Sequence, residues 1–88
     1  MRTETVKLLR AYADKMPPCP ERGKVFGIAS KIERLQHLDI ASCLIFGHSS
    51  CDGPHREASY LVDAGAAAHE EIKPGCHGTY TFKDGSIL

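Results

Sequence analysis

Proline and glycine cut this chain into short pieces, and that punctuation limits the fold more than any other feature. Pro17, Pro18 and Pro20 crowd one stretch, Gly47 and Pro54 bracket another, and Pro74 and Gly75 close a third. Proline lacks a backbone donor and pushes the preceding residue out of helical geometry, so each cluster ends a helix. Between the breaks, apolar residues recur at helical spacing. Val6, Leu9, Ala13 and Met16 form one stripe, with Leu8 and Tyr12 at its edge and Thr3 placed to cap it. Val25, Ile28, Ile32 and Leu35 form a second stripe over 22–37, beside Ala29. Asp39 caps a short third segment over 40–46, closed by Gly47. Helix is the preferred reading there, although the apolar run 43–46 also fits a strand.

A fourth helix is expected over 54–71. Pro54 suits its first position, Asp52 or Gly53 its cap, and Ala58, Leu61, Gly65, Ala68 and Ile72 its apolar face. In that helix Gly65→Leu overpacks a helix contact, and His55 and His69 lie on one side, too far apart to share a metal. The end of the chain changes character. Residues 79–82 alternate and favour strand, Asp84 and Gly85 make a turn, and 86–88 pair back. The expected architecture is one mostly helical α+β domain over 1–88, with three to four helices and a short C-terminal β-hairpin.

Charge narrows the range of partners. Eleven lysines and arginines balance eleven aspartates and glutamates. That balance disfavours both a basic nucleic-acid binder and an acidic DNA mimic. The distribution is uneven: residues 1–34 hold eight basic and four acidic side chains, and residues 35–88 hold three and seven. The basic edge Lys24, Lys31 and Arg34, with Lys7 and Arg10, is the candidate contact set for a protein or nucleoprotein partner. The competing reading pairs this edge with the acidic half, for example Asp63 or Glu70. No apolar run approaches the ~20 residues of a membrane span. No secretory signal pattern is visible, so the cytoplasm is the expected compartment and the cysteines are expected as thiols or metal ligands.

Four cysteines and five histidines make metal chemistry the main alternative. Cys43, His48, Cys51 and His55 fall within thirteen residues and offer the thiolates and imidazoles that zinc prefers. Only His48 and Cys51 carry the tight two-residue gap usual in structural sites. Catalytic signatures are weaker still. His69 and Glu70 begin a zinc-protease pattern that fails at Lys73, and a Cys51 nucleophile with His48 or His55 as base is unspecific. No glycine-rich phosphate loop is present. The sequence therefore implies a binding protein without a cofactor rather than an enzyme.

The segment Tyr80, Thr81, Phe82, Lys83, Asp84, Gly85, Ser86, Ile87 and Leu88 resembles a short hairpin of many small phage and mobile-element proteins, anti-CRISPR inhibitors among them. The resemblance covers about a tenth of the chain. It implies a small cytosolic regulator or inhibitor that covers a surface on a larger machine, and a protein surface rather than a nucleic-acid groove as the target.

Overall fold

The computed structural model describes residues 2–50, 52–71 and 78–88. Four helices lead into two antiparallel strands: α1 (Arg2–Lys15), α2 (Pro20–Arg34), α3 (Ile40–Ile45), α4 (Asp52–Asp63), β1 (Ala67–Glu70) and β2 (Thr79–Phe82). The mostly helical α+β architecture with a C-terminal hairpin is the one the punctuation implies.

Each helix boundary has a local cause. α1 already begins at Arg2, so Thr3 lies inside it rather than capping it. Pro20 sits at the start of α2 behind extended Cys19, because the first turn of a helix needs no donor from it. α2 therefore starts two residues earlier than expected and ends at Arg34 rather than at residue 37. The Asp39 side chain accepts from the Ser42 N–H at 2.7 Å, which fixes α3 as a helix.

The fourth helix departs most from expectation. It ends at Asp63, not residue 71, through a paired closure: Gly65 N–H donates to the Val62 carbonyl and Ala66 N–H to the Leu61 carbonyl. Gly65 takes φ 78°, the left-handed conformation that closure needs. Gly65 and Ala68 are thus not on the helix, and a Cβ at Gly65 would meet nothing within 4 Å. Gly65→Leu costs stability through backbone strain, not overpacking. Ala67, Ala68, His69 and Glu70 then pair with Phe82, Thr81, Tyr80 and Thr79. These are poor strand formers, and tertiary pairing overrides their helical preference. His69 consequently stacks on Tyr80 with ring centroids 4.4 Å apart, on a different element from His55. Ile72, Lys73, Pro74, Gly75, Cys76 and His77 lie outside the described residues.

β2 has neighbours on both sides. The segment 86–88 pairs back as expected: Tyr80 and Leu88 exchange backbone hydrogen bonds at 3.1 and 2.9 Å, and Thr81 bridges Ile87. Gly85 closes the turn at φ 85°. The turn also holds α3. Asp84 accepts from the Ile40 N–H at 2.8 Å, and the Ser86 hydroxyl accepts from the Ala41 N–H at 3.1 Å. With Asp39, these groups satisfy the first donors of α3.

One core joins the four helices and β2, with Leu9 and Ala13 from α1, Val25, Ala29 and Ile32 from α2, Ile40 and Leu44 from α3, Leu61 from α4 and Phe82 from β2, and the half-buried Ala67 of β1 packs against it. The α1–α2 pair is clasped at both ends. Arg2 donates to the carbonyls of Ile32 at 2.7 Å, Leu35 at 3.4 Å and Leu38. Arg22, in the first turn of α2, donates back to the Ala13 carbonyl at 3.1 Å. Each arginine starts one helix and covers the electronegative end of the other, which requires the two helices to run antiparallel.

Candidate binding cleft

Two stripes at helical spacing face each other across α2 and α4. Lys24, Gly27, Ile28, Lys31 and Arg34 come from α2, and Gly53, Arg56, Glu57 and Tyr60 from α4. His48 enters from the loop between α3 and α4. Together they line a cleft of about 480 Å³, within the few hundred Å³ of typical ligand sites. Its wall carries four permanent cations against one carboxylate, Glu57.

Glu57 is already engaged. Its Oε1 accepts from Lys31 Nζ at 2.9 Å and lies 3.2 Å from His48 Nε2. The Lys31 and Glu57 side chains are only 15% and 21% exposed, so this pair is less screened than a surface bridge. Among the described side chains, no carboxylate lies within ion-pair distance of Lys24, Arg34 or Arg56. These three cations rim the cleft beside solvent.

Glycine shapes both walls. A Cβ on Gly27 would meet nothing within 4 Å, so this position leaves a gap in the α2 wall. A Cβ on Gly53 would lie 2.4 Å from His48 Nδ1. The imidazole rests where a larger residue would put a methyl group, and that seat aims Nε2 at Glu57. Ile28 and Tyr60 supply the apolar part. Burial raises the Tyr60 phenol above the ordinary tyrosine value, and the charges of Glu21 and Asp63 raise it further. Tyr60 therefore presents a neutral side chain at neutral pH.

The basic edge expected from the sequence divides in two. Lys24, Lys31 and Arg34 share this cleft, as their spacing implies. Lys7 and Arg10 line a different groove, between α1 and α2, with Arg2, Glu33 and Gln36. Arg10 there pairs with Glu33 at 3.2 Å. Lys31 pairs with a carboxylate of the acidic half, as the competing reading has it, and that carboxylate is Glu57 in place of the examples Asp63 and Glu70. Arg56, Glu57 and Tyr60 are cleft residues that the sequence reading missed. Their helical spacing puts them on one side of α4, but nothing in it names the helix they face.

The residues of the metal alternative are dispersed in role. Cys43 is buried, donating to the Leu35 carbonyl at 3.4 Å and accepting from Arg2 at 3.6 Å. His48 turns to Glu57, and His55 packs near Tyr80 with ring centroids 5.5 Å apart. Cys51 lies outside the described residues. Among the described residues, no group of three histidines, cysteines or acids is placed to hold a metal ion. No described helix is long and apolar enough to cross a membrane. No protein-family model, curated protein or solved structure matches the chain.

Proposed function

We propose that this chain is a small binding protein that covers a surface on a larger protein or nucleoprotein partner through the α2–α4 cleft. It acts as a regulator or inhibitor in the manner of the small phage proteins, anti-CRISPR inhibitors included, that its last segment resembles. The observation that carries this reading is the set of Lys24, Arg34 and Arg56 beside an apolar floor, with no carboxylate of the described side chains answering them. Charges that stabilise a fold end on partners within it, whereas these face outward next to buried surface. Such rim cations speed association and choose partners more than they add affinity. The engagement of Glu57 by Lys31 and His48 supports recognition rather than acid–base chemistry. A zinc module remains the weaker proposal, since Cys43 is directed into the core.

Affinity capture from host lysate tests the reading, with the native chain and Lys24→Glu/Arg34→Glu as parallel baits. A partner held by the native chain, released by added salt and lost with the double variant supports the cleft. A partner held equally by both baits removes it.

A further inference from the structure

The cleft has a linear order along α2. Lys24 and Arg34 are ten residues apart, about 15 Å of helix rise. Between them lie the gap at Gly27 and the buried side chain of Ile28, then Lys31 held by Glu57, with Tyr60 and Arg56 contributed by the other wall. The sequence of features along α2 is rim cation, apolar notch, a cation already paired within the fold, and a second rim cation.

An extended peptide matches this order. Its residues i, i+2 and i+4 point to one side, and i to i+4 spans about 13 Å. Resting on the reading of the cleft as a docking site, we propose that its occupant is an extended acidic segment of a protein partner. The segment has the pattern acid, any residue, apolar, any residue, acid. Its carboxylates meet Lys24 and Arg34, and its apolar side chain enters the Gly27 gap against Ile28 and Tyr60. Arg56 on the facing wall holds a backbone carbonyl or a further carboxylate of the same segment.

A peptide fits better than a nucleic acid for two reasons. The formal net charge of the chain is zero, so no long-range field draws in a polyanion. Beside Lys24 the cleft has an apolar notch at Gly27, Ile28 and Tyr60, where a phosphate backbone offers only charge. A small inorganic anion would engage one end and leave the notch empty.

Selection of short random peptides from a display library on the native chain tests the inference. The comparison baits are Lys24→Glu/Arg34→Glu and Gly27→Leu. Leucine is the better helix former and meets open space at its Cβ, so Gly27→Leu fills the notch without unfolding α2. Circular dichroism verifies that both variants fold. The expected result is enrichment of peptides with two carboxylates four positions apart around an apolar residue. The synthetic peptide then binds both variants at least about tenfold more weakly. Enriched peptides that need the cleft but lack paired carboxylates overturn this inference and leave the docking reading standing. Enriched peptides that bind all baits equally overturn both. No enrichment, or displacement of the peptide by an oligothymidine, overturns the inference as well.

Discussion

The two sides of α2 use charge in opposite ways. On the side facing α1, the arginines at the helix ends close on backbone, Arg2 on the carbonyls of Ile32, Leu35 and Leu38 and Arg22 on that of Ala13, while Arg10 pairs with Glu33. The turn at Asp84 does the same for α3, with a carboxylate on the Ile40 N–H. On the side facing α4, only Lys31 and His48 find a described carboxylate, while Lys24, Arg34 and Arg56 stand at the rim. A charge bonded to helix-end groups replaces water that those groups would otherwise need, so its loss is felt as stability. A charge at an open rim keeps its water, so its loss leaves the fold alone. The comparison separates residues that build the molecule from residues it can offer to a partner.

The largest break in this comparison should come from Arg2. Arg2→Met removes charged donors from several half-buried carbonyls, and chemical denaturation should show a loss of about 2–3 kcal/mol. A stability within a few tenths of native would mean that the clasp contributes nothing.

Asp84→Asn should cost less, about 1–2 kcal/mol, because α3 loses part of its cap. This variant also carries a pH signature. Burial disfavours the Asp84 carboxylate, but hydrogen bonds from Ser86 and the Ile40 N–H, helped by Arg2, outweigh it and hold the group below its ordinary range. A depressed folded value means that the contribution is present above the ordinary aspartate range and lost as pH falls through the folded value. Melting curves of the native chain should therefore lose this contribution on acidification, and the Asp84→Asn curve should lack that part of the slope.

On the cleft side, Glu57→Gln should cost about 1 kcal/mol, the upper range for a partly exposed pair. It should also loosen His48, visible as a change in its imidazole resonances. Gly53→Ala should move the same resonances with little change in melting, since the added methyl group displaces the ring rather than backbone. Unmoved resonances in both variants would detach His48 from the cleft.

The smallest stability effect belongs to Lys24→Glu/Arg34→Glu, within about 0.5 kcal/mol of native. The same double variant should slow partner association in stopped-flow or surface measurements. A large stability loss here would place these residues with Arg2 and erase the contrast between the two sides. Lys31→Glu is a poorer probe of binding, because Lys31 pairs with half-buried Glu57 and its reversal sets two carboxylates together.

The sequence by itself determined the local elements whose signals are local. Prolines fixed the C-terminal end of α1, Asp39 fixed α3, and Asp84 with Gly85 fixed the final turn, whereas Pro20, at the first position of α2, reads in the sequence as connector. The helical spacing of Lys24, Lys31 and Arg34 was also legible, because periodicity along one helix is a property of that helix. Tertiary structure alone decided the rest. β1 is built from alanines, a histidine and a glutamate with no strand preference, and exists because β2 offers hydrogen bonds there. The reach of Arg2 across to Leu38 and the meeting of Lys31 with Glu57 join residues far apart in the chain, and no periodicity encodes such encounters. The cleft followed from that difference: its α2 wall was written in the spacing, and its α4 wall appeared only when packing turned one helix toward the other.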